Sequence, residues 1–339
     1  MQTDSFRVIG EKIHCTRIFK TQGARVRRRE DGSHALTYRR AGEARELPVP
    51  GDVVQGAEWA AGKVRHCALA ARQFLHGDAT ASAAGADYLQ ALAEEQAAAG
   101  AHYLDVNVDE YSGDPAERVE VMRRVAALVQ EATPLPLSID SSHPDTLRAG
   151  LEACDRSRGR PLLNSVSLER LGALDLLAEA DAAAIVSAAG EKTMPRTVEE
   201  RLDNLRDIIA RLRAVGRPDA SFFIDPLVFP VATDGANGAS FIEAVAAVRV
   251  AFGLEVHITG GFSNVSFGLP NRNLINVVFT WLAVDAGADS GIVDPAHING
   301  KILAEVDPSS EGFRLARALL MNEDAFGEAF IAASREGRI

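Results

Sequence analysis

Cysteine is scarce in this sequence, and Cys15, Cys67 and Cys154 lie far apart. No CxxC pair occurs, which excludes a disulfide framework and a cysteine-rich zinc site. A basic excess is also absent. The formal net charge of -11 argues against nucleic acid or an anionic membrane surface as a partner. No apolar run is long enough for a membrane span, and the N-terminus has no signal-peptide pattern. We therefore expect a cytoplasmic protein.

The signatures of several common enzyme classes are missing as well. No GxGxxG motif follows a predicted strand, so a dinucleotide-binding unit is not supported. No GxSxG elbow supports a serine nucleophile. No HExxH motif or closely spaced histidine pair occurs, and we expect no metal site. His14, His143, His257 and His297 lie near predicted strand ends and are better explained as polar loop or core residues than as ligands.

The chain does contain a repeat of short apolar runs, each followed by a stretch of helical period. Eight runs fit strands: 6–13, 102–107, 135–142, 160–166, 182–188, 221–226, 255–261 and 290–295. Helical patterns cover 84–99, 115–132, 197–216, 241–253 and 274–287. Alternating strands and helices indicate a parallel sheet, so the predicted class is α/β. Eight units in 339 residues favour a closed (β/α)8 TIM barrel over an open doubly wound sheet.

Residues 18–78 do not fit this repeat and are predicted to be an insertion after the first strand. Within them, residues 25–40 have an Asp-Gly turn signal between two alternating stretches, which is typical of a β-hairpin. Residues 58–75 predict a helix. In a barrel, the first βα loop lies on the active-site face. The insertion is therefore a lid, a docking surface or a packing excursion within a single barrel domain that spans 1–339.

Polar residues lie at the carboxyl ends of most predicted strands. They are Glu11, Asp105, Asn107, Asp140, Asn164, Asp225, Asn264 and Asp294. A barrel gathers these ends at one mouth. Capping of the following helix explains a single such residue, but most helices need only one cap. Carboxylates accept hydrogen bonds, and amides both donate and accept. The set suits a flat neutral ligand with several N–H donors, and it suits a phosphate-rich substrate poorly.

Six motifs together resemble one enzyme family. They are VIGEKI, LDVNV, SIDSS, LLNSVS, FIDPLVFP and GGFSNVSFGLPNRNLIN. The chain resembles the pterin-binding methyltransferases, which act between methyltetrahydrofolate and a corrinoid protein, and the related pterin-binding module of cobalamin-dependent methionine synthase. The resemblance covers nearly all of the chain outside the insertion. It implies a TIM barrel that holds tetrahydrofolate or 5-methyltetrahydrofolate, while a partner protein supplies the corrinoid (cobalamin), since this chain has no DxHxxG motif.

The resemblance also implies a set of site residues. Asn264 matches the asparagine that reaches N5, the nitrogen that bears the methyl group. Asn264 and Asp225 are the implied catalytic residues. The implied pterin-binding set is Asp140, Asn164, Asp225, Asn264, Asp105, Asn107, Ser263 and Arg272. Asn276 matches a position on the same segment as Arg272. Ser263 and Ser266 are expected to shape the loop rather than to act in catalysis.

Two departures from the family pattern stand out. The first strand continues as EKIHC where the family commonly has E-R-I-N, so His14 replaces an asparagine, and the insertion follows at once. The direction of methyl transfer stays open. Two alternatives are a dihydropteroate synthase-like enzyme, whose usual signature loops are missing here, and a non-catalytic pterin-binding subunit. The acidic surface is compatible with a homodimer.

Overall fold

A computed structural model describes Thr3 and residues 5–339. The strands are β1 (Arg7–His14), β2 (Ile18–Lys20), β3 (Val26–Arg28), β4 (His34–Arg40), β5 (Glu43–Val49), β6 (Lys63–Arg65), β7 (Tyr103–Asn107), β8 (Leu137–Asp140), β9 (Leu162–Val166), β10 (Ala183–Ser187), β11 (Phe222–Asp225), β12 (His257–Ile258) and β13 (Ser290–Val293). The helices are α1 (Gly51–Val54), α2 (Ala57–Ala60), α3 (His66–His76), α4 (Ala79–Ala98), α5 (Pro115–Glu131), α6 (Pro144–Ala153), α7 (Gly172–Glu179), α8 (Val198–Ala214), α9 (Asn237–Phe252), α10 (Arg272–Asp285), α11 (Gly300–Ala304), α12 (Glu311–Leu320) and α13 (Glu328–Arg335).

Eight strands form one sheet in the order β12, β11, β10, β9, β8, β7, β1, β13. The sheet closes where β12 meets β13: Ile292 N–H donates to the carbonyl oxygen of Gly260 at 2.9 Å, and Gly261 and Ile292 form a parallel bridge. Each of the eight predicted strands is present, and the predicted (β/α)8 barrel is confirmed. The strands are apolar because both faces of a parallel barrel are covered, and every residue of β10 is buried.

The chain divides into two compact units. The first contains Met1–Gly10, Gly100–His102 and Leu162–Ile339, and the second contains Glu11–Ala99 and Tyr103–Pro161. In the first unit, β10 pairs in parallel with both β9 and β11. In the second, β7 pairs in parallel with β8, so that Asn107 lies opposite Asp140. No helix in the described part of the chain is long and apolar enough to cross a membrane.

The insertion forms an antiparallel three-stranded sheet, β3–β4–β5, a two-stranded pair, β2–β6, and helices α1 to α3. The hairpin predicted in 25–40 is confirmed: Val26 pairs with Leu36, and the turn places Gly32 at φ 82°. A second hairpin through Ala41 and Gly42 was not predicted. Both of its turn residues have positive φ, which Ala-Gly signals more weakly than Asn-Gly.

The predicted helix over 58–75 is partly wrong. Helix α2 ends at Ala60, Gly62 has φ 78°, and residues 63–65 form β6 before α3 begins at His66. Lys63, Val64 and Arg65 carry no helix-breaking signal of their own. They are extended because β6 pairs with β2, with Phe19 opposite Val64. Tertiary pairing here overrides local helix propensity.

The three-stranded sheet of the insertion is attached to α4 by charged side chains. Asp87 accepts hydrogen bonds from Tyr38 Oη at 2.5 Å, Arg40 Nη1 at 2.7 Å and Arg45 Nη1 at 2.6 Å. Arg40 also binds Glu94 with two nitrogens, at 2.6 and 3.0 Å. Charge-assisted, partly bidentate bonds of this kind fix geometry as well as adding energy.

Candidate functional site

A compact polar cluster lies at the carboxyl ends of β1, β7 and β8, within the second unit. Nε2 of His14 lies 2.5 Å from Oδ2 of Asp105, which is fully buried. Nδ2 of Asn107 donates to Oδ2 of Asp140 at 2.9 Å. The structure therefore brings together three of the residues predicted for the site, Asp105, Asn107 and Asp140. His14, the departure from the family pattern, joins them.

Burial governs the protonation of this cluster. Burial, with the nearby charge of Asp105, raises the pKa of Asp140 to about 7, although the charge of His14 and the Asn107 hydrogen bond act in the opposite direction. For His14, burial alone would lower the pKa. The hydrogen bond and the charge of Asp105 outweigh it, so the pKa of His14 lies above its ordinary value. The acid pair thus stabilises the protonated form of His14, and the protonated histidine opposes the rise in the pKa of Asp140.

The same three side chains, His14, Asp105 and Asp140, place a ligand-type atom each within 4.8 Å of one another. Two ligands of a tetrahedral zinc ion at about 2.0–2.2 Å from the metal are roughly 3.3 Å apart. The 2.5 Å separation of His14 Nε2 and Asp105 Oδ2 is that of a strong charge-assisted hydrogen bond instead. The geometry favours a shared proton over a shared cation.

The turn between β8 and α6 is held by Asp109 and not by Asp140. Asp109 accepts from Ser141 Oγ at 2.5 Å and from the backbone N–H of Ser142 at 2.8 Å. Helix α6 begins after His143 with no side-chain cap. Asp140 accepts no backbone N–H in the part of the chain that the structure describes, and so it is not consumed by the turn that follows it.

Asn164 and Asp225 lie at the ends of β9 and β11, in the first unit. Asn164 is half-buried and pairs across the sheet with Ile185, directly before a register shift. The Asn164–Ser165 peptide is cis. Asp225 uses one carboxylate oxygen to accept from the backbone N–H of Leu227 at 2.8 Å. Among residues 3 and 5–339, its other oxygen has no hydrogen-bond partner.

A buried arginine that the sequence reasoning missed acts on Asp225. Arg201, on α8, is 1% exposed and donates from Nη1 to the carbonyl and hydroxyl oxygens of Ser240, at 3.0 and 2.7 Å. Its guanidinium lies 5.7 Å from the centre of the Phe229 ring. Burial raises the pKa of Asp225 to about 6, while the Leu227 hydrogen bond and the charge of Arg201 oppose the rise. A mid-helix arginine looks like a solvated surface residue in sequence, so only the fold reveals it.

The asparagine loop after β12 is a 3-10 turn, Phe262–Ser266, anchored by an aromatic side chain. Phe262 is fully buried and packs edge-on against Phe241 and Phe279, each at 5.7 Å between ring centres. A Cβ at Gly260 would lie 2.9 Å from this ring, and a Cβ at Gly291 likewise 2.9 Å from it. The small residues around the loop therefore make room for its anchor.

Arg272 braces the same loop from α10. Its Nε donates to Ser266 Oγ at 3.0 Å, and Nη2 donates to the carbonyl oxygen of Ser263 at 2.8 Å. Ser266 Oγ in turn donates to the Ser263 carbonyl at 3.3 Å. These bonds give Ser266 and the Ser263 backbone a loop-shaping role. The guanidinium also stacks over Phe267 at 4.6 Å.

Asn264 lies at the centre of this braced turn. Its backbone N–H donates to Gly261 O at 3.0 Å, and its carbonyl accepts from Phe267 N–H at 3.2 Å. In the described part of the chain, its side-chain amide makes no hydrogen bond. Buried Asn276, further along α10, similarly has an Oδ1 without a partner among the described residues. A rigid backbone that presents an unengaged amide is suited to recognising a polar atom of a ligand.

Residues 78–294 match a family model described as pterin binding enzyme. The match begins where the predicted insertion ends. The chain is 29% identical over 257 residues to the methylcorrinoid:tetrahydrofolate methyltransferase of Eubacterium limosum. The aligned region covers 74% of this chain and 89% of that protein. It is 32% identical over 229 residues to the methionine synthase of Mycobacterium tuberculosis, which covers 62% of this chain and 19% of the larger protein.

Solved structures of dihydropteroate synthase share the fold. One structure of a dihydropteroate synthetase superposes with a TM-score of 0.51 at 17% identity, covering 65% of this chain and 86% of the other. At this level of identity the likeness concerns the barrel and not the reaction.

Proposed function

The chain belongs to the family of pterin-binding enzymes, and we propose that it is a methyltransferase acting between N5 of methyltetrahydrofolate and the cobalt of a corrinoid protein. The observation that carries the proposal is the unengaged amide of Asn264 on a loop held by Arg272 and Phe262. The likeness to the E. limosum methyltransferase, which extends over 89% of that enzyme, supports it. The folate is the substrate, and a corrinoid (cobalamin)-binding protein is the partner.

The pterin ring is held by carboxylates and amides. Its 2-amino group and the adjacent ring N–H are donors that a carboxylate accepts in a paired fashion. We assign this role to Asp140 and Asp225. The remaining proposed pterin-binding residues are Asn164, Asp105, Asn107, Ser263, Asn264 and Arg272. Arg272 contributes through the loop that it braces.

The difficult step is breaking the bond between the methyl group and N5, because an amine is a poor leaving group unless it is protonated or strongly hydrogen-bonded. The corrinoid cobalt supplies the electron pair that forms the new bond to carbon, and the N5–carbon bond breaks with its pair staying on N5. That nitrogen takes up a proton from solvent. The Asn264 amide hydrogen-bonds to N5 in either protonation state of N5, and this hydrogen bond strengthens as charge develops on the nitrogen. The return of a methyl group to tetrahydrofolate uses the same contacts in reverse.

Asp225 acts by contact with the pterin. Its second oxygen is the one left to accept from the ring, since the first is held by Leu227. Because Arg201 opposes the rise in the pKa of Asp225, the carboxylate is ionised at neutral pH and available as an acceptor.

We make four further proposals beside this function. Residues 1–339 act as a single pterin-binding domain, and 18–78 is an insertion in its first βα loop. The protein works in the cytoplasm, in one-carbon metabolism. It forms a homodimer. The corrinoid partner docks at the carboxyl ends of the barrel strands, where the methyl group is exposed for in-line attack.

The test is to mix the purified chain with methyltetrahydrofolate and reduced cobalamin, free or protein-bound, and to follow methylcobalamin absorbance. Tight folate binding without any transfer would overturn the methyltransferase assignment and favour a non-catalytic binding subunit. Formation of dihydropteroate from a pterin pyrophosphate and p-aminobenzoate, with release of pyrophosphate, would instead favour a synthase.

Asn264→Ala tests the role of the loop. The variant is expected to keep folate affinity within about threefold and to lose at least 100-fold in transfer rate, the usual scale for one transition-state donor. Exposed Asn273, one residue into α10, gives the matched control Asn273→Ala. A variant at position 264 that transfers methyl at the wild-type rate would show that the amide does not act at N5.

A further inference from the structure

The end of β1 carries a histidine where the family commonly has an asparagine, and its contacts suggest why. Nε2 of His14 is 2.5 Å from Asp105, and the carboxylate of Asp140 lies within 4.8 Å of the same pair. Asp105 is fully buried, and the His14 side chain is 16% exposed. Two carboxylates placed this close repel each other and favour protonation of one of them unless a positive charge is nearby.

The other charged groups around this cluster are already engaged. Arg17 follows β1 and binds Glu11 at 2.6 Å, and its Nε donates to the Glu11 carbonyl at 3.1 Å. Asp109, after β7, is bonded to Ser141 and Ser142. On α3, the Cys67 thiol is buried and neutral, because burial raises its pKa to about 12. The charged side chains that act on His14 are thus Asp105, Asp140 and Arg17, and Asp109 acts on Asp140.

We propose that His14 is a positioning residue of the pterin site. Its imidazolium supplies the positive charge that allows Asp105 and Asp140 to remain ionised next to each other. This proposal rests on the function proposed above and deepens it. An asparagine at position 14 can hydrogen-bond to Asp105, but it carries no charge. Asp140 in a chain with His14 therefore stays an acceptor for the pterin N–H groups to lower pH than it would with asparagine.

The proposal predicts the direction in which pH changes folate affinity. Asp140 accepts pterin N–H donors when ionised, and its pKa is about 7 with His14 present. Loss of the imidazolium raises that pKa further, so that less Asp140 is ionised at pH 7. Folate affinity in the wild-type chain falls as pH drops below about 7. In a chain without the imidazolium, the same fall begins at higher pH, and the two chains converge under alkaline conditions.

The experiment is a pH series, from 6 to 9, of the tetrahydrofolate Kd for the full chain, for His14→Asn and for His14→Gln. Exposed His76→Asn serves as a control, since His76 forms only a long, solvent-exposed contact with Glu117 at 3.8 Å. A displacement of the binding midpoint by about one pH unit makes His14→Asn roughly fivefold weaker at pH 7 and nearly equal to wild type at pH 9. A variant curve with an unmoved midpoint, whether or not affinity falls uniformly, overturns the proposal.

A second measurement needs no variant and no folate. Histidine-labelled wild-type protein is titrated by NMR, and the His14 ring is expected to be doubly protonated at pH 7. A neutral His14 ring at that pH overturns the proposal even if neither variant folds. If the wild-type chain binds no folate while the ring is charged, the methyltransferase assignment fails and the charge balance at His14 stands.

Discussion

Gly261 and Asn264 use the same space: a Cβ built on Gly261 would lie 2.9 Å from Nδ2 of Asn264. Gly261 has φ -75°, a conformation that any residue adopts, so the glycine is not required by the backbone. The glycine instead leaves space for the side-chain amide of Asn264, three positions later. A larger residue at position 261 would therefore push this amide from its place.

Gly261→Ala is expected to displace the Asn264 amide and to lower the methyl-transfer rate at least tenfold, because a misplaced hydrogen bond loses most of its transition-state contribution. Stability should change by less than about 1 kcal/mol, since the neighbouring side chain can move. The measurements are the rate of methylcobalamin formation and the thermal midpoint. Gly51→Ala, whose added methyl would meet nothing within 4 Å, is the control. An unchanged rate in Gly261→Ala would contradict the coupling.

Asp225→Asn is expected to stabilise the folded chain at pH 7.5 while weakening pterin binding. The carboxyl has a pKa of about 6 in the fold against an ordinary 3.8, so the folded state favours the protonated acid and loses stability as pH rises through 6. The gain in the free energy of unfolding is at most about 3 kcal/mol, because each unit of pKa difference between the folded and unfolded states corresponds to about 1.4 kcal/mol. It should vanish below pH 4.

The measurement is urea unfolding of wild type and Asp225→Asn at pH 4 and 7.5. Asp219→Asn is the control with the opposite sign: its hydrogen bonds to Arg213 lower the pKa of Asp219, so the variant should show no gain. Equal stability of Asp225→Asn and wild type at pH 7.5 would mean that the acid is not strained in the fold.

Arg201→Met is expected to raise the pKa of Asp225 above about 6, because the variant removes the positive charge that opposes protonation. Folate binding should then weaken at pH 6–7 and recover at pH 8.5. Stability should change little, since methionine fills a similar volume and a buried cation whose Nε has no partner among the described residues contributes weakly. Arg206→Met, which alters a solvent-facing arginine of the same helix, is the comparison. Identical pH profiles for the two variants would remove Arg201 from the site.

Asp87→Ala is expected to destabilise the chain by about 2 kcal/mol, because it removes the shared acceptor of Tyr38, Arg40 and Arg45. Glu43→Ala deletes only an exposed pairing with Arg45 at 3.4 Å and should cost less than about 0.5 kcal/mol. Chemical denaturation compares the two. A similar loss for both would mean that the insertion does not depend on Asp87.

The periodicity of the sequence was sufficient to predict the barrel, because buried parallel strands and amphipathic helices have distinct patterns of apolar residues. It also identified the polar strand ends. It could not show that the turn after Asp140 is held by Asp109, thirty-one residues earlier in the chain, because only the fold decides which carboxylate the Ser142 N–H reaches.

Arg201 and the β6 segment mark the limit of such reasoning. Helix α8 is rich in charged residues, and nothing in its sequence separates buried Arg201 from exposed Arg206 except the phase of the helix against α9. Lys63–Arg65 is extended only because β2 is available as a partner. Both features depend on contacts between segments distant in the chain, which local patterns do not record.

Strand β12 is only two residues long, and the ring of strands is completed beyond it by Gly260 and Gly261, the residues that lead directly into the Asn264 turn. The seam of the barrel and the Asn264 loop are thus one continuous piece of backbone. Opening of that seam would displace the backbone that carries the Asn264 amide. With the role proposed for Asn264, the rate of methyl transfer therefore also reports on closure of the barrel.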